Sequence, residues 1–183
     1  MFSKISLILL SICLCGLVQA TPISDFAKNV ESSVQNLLGV HCMVESVLNL
    51  EDAADEFTYQ ISKSCGADAV KNLATELADT KALMKLTSKV IDTNDDEDIC
   101  DNSAFDEDTD SDTEASSDCA TQLKTQMADL LTSFKTTKKD ITNGLKQSYN
   151  SAACVKMAMT NFKYFLNSFP QRIETCAELA ADA

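Results

Sequence analysis

The sequence predicts an all-α protein, a disulfide-bridged bundle of four or five helices, and three observations predict it. Turn-forming residues are scarce. Pro22 and Pro170 bracket 147 residues without another proline, and beyond residue 20 the glycines are Gly39, Gly66 and Gly144. An antiparallel β protein needs many more turns than that. Apolar residues instead recur every three or four positions, the spacing of one helix face. Six cysteines remain after the first twenty residues, an even set of the kind that forms three disulfides outside the cell.

Residues 1–20 read as a secretory signal peptide. Lys4 precedes an apolar run over residues 5–18, and Val18-Gln19-Ala20 ends it with small residues, so cleavage is expected after Ala20. Cys13 and Cys15 leave with it. The run is too short to favour a membrane span, and no later stretch approaches the roughly 20 apolar residues a span needs. Secretion to the extracellular space excludes a cytosolic enzyme. Without Lys4, 28 acidic residues face 14 basic ones, a net charge of −14. A nucleic-acid binder needs the opposite balance.

The helices follow in order. Ile23, Phe26, Val30, Val34 and Leu37 form the first stripe; Met43, Val47, Leu50, Ala54, Phe57 and Ile61 form the second. Either Gly39 ends the first helix, or Val40 and Val44 carry its stripe into one long helix reaching Ser64. Gly66 suits a helix C-terminus, where glycine accepts the left-handed conformation. Val70, Leu73, Leu77 and Met84 form a third stripe, continued by Ile91; Leu123, Met127, Leu130, Phe134, Ile141 and Leu145 form a fourth. Asn143-Gly144 either breaks or weakens that helix. The last stripe runs through Ala152, Val155, Met159, Phe162, Leu166 and Phe169, and Pro170 is expected to end it. Charge pairs form no consistent ladder, so packing must hold these helices.

Residues 92–118 stand apart, with 13 Asp or Glu in 27 residues and no Lys or Arg. Such a run repels itself and buries little, so it reads as a solvated, disordered loop. Residues 21–183 thus read as a single helical domain interrupted by an acidic linker at 92–118.

The disulfide candidates are Cys42, Cys65, Cys100, Cys119, Cys154 and Cys176. A helix over residues 43–64 would hold Cys42 and Cys65 about 33 Å apart, far beyond the roughly 7 Å a disulfide allows between Cα atoms. In an up-and-down bundle Cys65 and Cys154 fall near one pole and the other four near the opposite pole. Cys65–Cys154 is the preferred pair, and the remaining connectivity stays open. No Cys-x-x-Cys occurs, so a zinc site is disfavoured.

Little else carries chemistry. His41 is the single histidine, without a nucleophile motif beside it, and reads as a solvent-exposed or helix-end residue. No enzyme and no cofactor are expected. Asp106, Asp108, Asp110 and Asp112 alternate like calcium ligands, but Ser111 and Ser117 stand where an EF-hand needs glycine and a bidentate glutamate. Weak calcium association through this acidic loop is the most it suggests. Phe162, Phe165 and Phe169, with Met159, share one helical face and read as core; the alternative is an apolar pocket between helices.

Signal peptide, helical composition and spacing together suggest a family. Insect odorant-binding proteins share the six cysteines but have Cys-x3-Cys and Cys-x8-Cys spacings, whereas the shortest gap here is Cys100-x18-Cys119. Cys42-x22-Cys65 preceded by Tyr59, followed by Cys154-x21-Cys176, resembles the insect secreted proteins that share the tsetse midgut EP-protein domain. The resemblance covers residues 23–180, without any Glu-Pro repeat tail. It implies an extracellular protein without catalytic residues, and brings no site residue. The function expected is a secreted, non-enzymatic binding or interaction protein, the partner being an extracellular protein; the alternative is a carrier of a lipid or other small apolar ligand.

Overall fold

The computed structural model describes residues 25–150 and 152–183. The expected signal peptide and its cleavage after Ala20, with Cys13, Cys15 and Ile23, lie outside the described residues. The chain forms α1 (Phe26–Ser33), α2 (Leu37–Tyr59) prolonged by a π-helical turn (Gln60–Ser64), α3 (Ala67–Asn72), α4 (Ala74–Asp95), α5 (Glu107–Asp110), α6 (Ser117–Gly144), a 3-10 turn (Ser148–Asn150) and α7 (Ala153–Asp182). The all-α, disulfide-bridged bundle is the fold observed.

α2, α4, α6 and α7 run up, down, up and down, with α2 packed against α7 and α4, α4 against α6, and α1 laid along α7. Cross-helix bonds fix the antiparallel registers. Ser88 Oγ donates to Glu51 Oε1 at 2.7 Å between α4 and α2, and Gln126 Nε2 donates to Thr93 Oγ1 at 2.7 Å between α6 and α4. The core is one continuous apolar cluster from Phe26 to Ile173, in which Met43, Val47, Leu123, Met127, Leu130, Phe134 and Leu166 are fully buried. Apolar burial on this scale, at about 25 cal/mol per Å², is the main favourable term.

The first break comes before Gly39, not at it. Asn36 adopts an extended backbone and caps α2, its Oδ1 accepting from Gly39 N at 2.9 Å while its Nδ2 donates to Ala180 O at 2.8 Å. Gly39 lies within α2 where three chain segments converge: a Cβ there would clash with Ser33 O and stand 2.6 Å from Ala180 Cβ. At the other end, Gly66 has φ +89° and terminates the α2 helix and its π turn, as its residue type suggested. α6 ends at Gly144.

Two stripes need correction. Val70 is exposed, and the buried face of α4 is completed instead by Leu83, Val90, Thr80 and Thr87. The threonines fit because Thr80 Oγ1 donates to Glu76 O and Thr87 Oγ1 to Met84 O, each at 2.7 Å. Pro170 does not end the last helix. It lies buried inside α7, which continues to Asp182. The missing amide forfeits one backbone hydrogen bond, and the buried Ile173, Cys176, Ala177 and Ala180 beyond it keep the helix on the bundle.

The acidic linker is folded, which corrects the expectation of a disordered loop. Residues 92–95 complete α4 and Ser117-Asp118 open α6. Between them Leu37 N donates to Thr113 O at 2.8 Å and Ala115 N to Gln35 O at 3.2 Å, around a bridge between Asn36 and Glu114. Asn102 is buried and its Nδ2 donates to Asn94 Oδ1 at 3.2 Å and Leu37 O at 3.4 Å. Phe105 stacks on His41 with ring centroids 4.5 Å apart, which makes His41 half-buried. Charge repulsion is thus outweighed by backbone pairing, two aromatic rings and the Cys100–Cys119 bridge. Deleting residues 102–117 while keeping both cysteines is therefore expected to cost about 2–4 kcal/mol, from the lost Ser116 cap and buried bonds. Urea unfolding measures this. An unchanged midpoint would restore the picture of a passive solvated loop.

Candidate functional site

A groove lies between α2 and α7. Its apolar floor is Ala53, Phe57, Ala158, Phe162 and Phe165. Its rim carries Asn49, Asp52, Glu56 and Gln60 from α2 and its π turn, and Asn161 from α7. The volume is about 300 Å³, at the lower end of small-molecule sites. Phe57 and Phe162 stack with centroids 5.0 Å apart and planes 16° from parallel, and both are buried. Phe165 is half-buried and meets the exposed Tyr164 edge-on at 6.0 Å.

Two disulfides hold the groove at its ends. Cys42 pairs with Cys176, Cα atoms 5.4 Å apart, and Cys65 with Cys154, Cα atoms 5.5 Å apart. Both join α2, or the residue just beyond its π turn, to α7, and the groove residues lie between them. The walls are therefore fixed before any ligand arrives, which lowers the ordering cost of binding. Cys65–Cys154 is the pair expected from the poles of the bundle, and Cys42–Cys65 does not form. Cys100–Cys119 completes the set, Cα atoms 4.8 Å apart.

A π turn closes the C-terminal end of α2. Cys65 N donates to Gln60 O, five residues back, at 3.1 Å. The wider turn sits where the groove ends at Gln60, whose Nε2 donates to Glu56 Oε1 at 2.5 Å. Such turns occur mostly as local adjustments, often at functional sites. Nothing in the run Gln60-Ile61-Ser62-Lys63-Ser64 marks it.

The Phe-rich face expected as core or pocket divides between the two. Phe162 and Phe165 reach the groove, whereas Phe169 and Met159 are buried in the core. Phe169 lies between Phe26 and Phe134, with centroids 5.9 and 5.4 Å away. A second recess of about 310 Å³ lies between α1 and α6, floored by Phe26, Val30 and Leu131. Glu31 and Lys124 line it and face each other at 3.9 Å.

The carboxyl and ammonium groups that burial shifts, Glu76, Asp79 and Lys138, line neither recess. Burial pushes the Glu76 carboxyl above its ordinary value of 4.5, and the nearby Asp140 and Asp79 carboxylates push the same way. Asp79 is raised by burial and then by its hydrogen bond to Asp140. Lys138 is lowered, by burial and then by Lys163, and lies over the Phe134 ring at 5.8 Å. Because Glu76 binds its proton more tightly folded than unfolded, its contribution falls as pH rises above 4.5 and is lowest above the folded value. Glu76→Gln should therefore raise the melting temperature at pH 7 and change it little at pH 4. A shift of equal size at both pH values would show that charge is not the cause.

The linker carboxylates serve their own turns. Asp106 Oδ1 accepts from Asp108 N at 3.0 Å, and Asp110 Oδ2 accepts from Asp106 N at 2.9 Å. Among the described residues no group of three or more His, Cys, Asp or Glu could hold a metal ion, so the calcium suggestion gains no support. Among the same residues no helix is long and apolar enough to cross a membrane. No family model matches the chain, and no curated protein or solved structure is similar to it.

Proposed function

We propose that this is a secreted, non-enzymatic binding protein that holds a small, largely apolar ligand in the α2–α7 groove. The observation that carries this is the stapled groove itself: an apolar floor, on which the half-buried Phe165 is the accessible ring, between two helices cross-linked at both ends. Three disulfides support an oxidising, extracellular setting, in keeping with the signal peptide and with the resemblance to insect secreted proteins. A partner protein docking on the same face is the second reading, favoured by the exposed Tyr164 and Met157 beside the groove.

Titration of the secreted protein with the neutral dye phenylnaphthylamine tests the first reading. One saturable site is expected, with the dye's emission shifted to the blue, and Asn161→Trp should abolish it by covering the floor from an exposed rim position. Absence of saturable binding, or binding unchanged in a normally folded Asn161→Trp protein, would overturn it. The same preparation should begin at Thr21 and contain no reactive thiol.

A further inference from the structure

We propose that the α2–α7 groove selects small amphipathic cations: an aromatic body carrying a primary ammonium group. This rests on the reading of the groove as a ligand site and adds the ligand's chemistry. The two walls differ in character. On the α2 side Asp52 and Glu56 both line the groove. They stand four residues apart on one helical face, about 6 Å along the axis, so one ammonium group can meet both carboxylates. Gln60 Nε2 donates to Glu56 Oε1 and steadies that carboxylate. None of the ten lining residues is Lys or Arg.

The α7 side is neutral and apolar. Asn161 is its rim residue, and Met157 and Tyr164, four before and three after it, share its face and are 58% and 69% exposed. An aromatic body would lie against the half-buried Phe165, with the buried Phe162 beneath it, and its charged end directed to α2. The volume of about 300 Å³ suits one ring with a short chain rather than a long-chain lipid. An anionic head group would instead meet two carboxylates with no cation in the lining to offset them. The net charge of −14 after residue 20 draws cations toward the whole molecule, but only the local pair can distinguish one end of a bound ligand from the other.

The test compares three ligands of matched shape by titration calorimetry: phenylbutylamine, phenylbutanol and phenylbutyrate. At low ionic strength the amine should bind more tightly than the alcohol by about two- to fivefold per carboxylate, the range of an exposed ion pair. The preference should shrink as salt is added, and the acid should bind most weakly. In the D52N/E56Q double variant the amine and the alcohol should bind with equal affinity. D55N, which removes one carboxylate from an exposed α2 position outside the groove, should preserve the preference. Equal affinities for amine and alcohol in the wild-type protein, or a preference that survives D52N/E56Q, would overturn the inference and leave the groove reading standing. If the alcohol and the neutral dye also fail to bind, the groove reading falls and the inference with it.

Discussion

Replacing Phe162 with alanine is expected to destabilise the protein by about 3–5 kcal/mol, the range for emptying an aromatic site in a packed core. Phe162 is 1% exposed and stacks on Phe57 across the α2–α7 interface. Its removal deletes an aromatic pair as well as buried area, and the cavity opens directly under the groove floor. Phe165→Ala should cost only about 1–2 kcal/mol, because half-burial means that less apolar area is lost. Urea unfolding of the two variants measures the contrast. The dye site should be lost in both, since both rings line it. Equal losses of stability would mean that Phe162 is not the deeper of the two, and would overturn the division of that face into core and groove.

That division shows what the sequence carries and what it hides. Period alone placed Phe162, Phe165, Phe169 and Met159 on one side of a helix, and all four face inward or into the groove. It could not separate them, because which side chains fall beneath the neighbouring helix depends on the register that Cys42–Cys176 and Cys65–Cys154 impose. The bundle itself was legible from sparse Gly and Pro and from stripes such as Leu123–Met127–Leu130–Phe134. The buried face of α4 was only half legible, since Thr80 and Thr87 look polar in sequence yet satisfy their hydroxyls within the helix.

The acidic linker hides its order for a related reason. Thirteen carboxylates suggest solvation, but its order comes from main-chain pairing with Gln35 and Leu37, a contact distant in sequence that no local pattern announces. Pro170 reads as a stop because proline's local cost is visible in sequence and the tertiary contacts that offset it are not. Asp52 and Glu56 do not stand out in sequence among 28 acids, and only their place beside an aromatic floor distinguishes them.

The second large effect concerns the disulfides, and it separates stability from binding. Replacing each cystine pair by two alanines should destabilise in the order of the chain segment closed: 134 residues for Cys42–Cys176, 89 for Cys65–Cys154 and 19 for Cys100–Cys119. Loop-closure entropy of the unfolded chain gives about 5, about 4.6 and about 3 kcal/mol respectively. Urea midpoints in the three double variants check the order, and equal losses would mean that the bridges act mainly through local packing in the folded state. Binding should not follow the same order. Cys42–Cys176 and Cys65–Cys154 hold the two ends of the groove, so removing either should weaken dye binding even where the protein remains fully folded. Cys100–Cys119 joins the linker to α6 and holds neither wall, so its loss should leave dye affinity unchanged. A site that weakened with Cys100–Cys119 but not with the other two could not lie between α2 and α7.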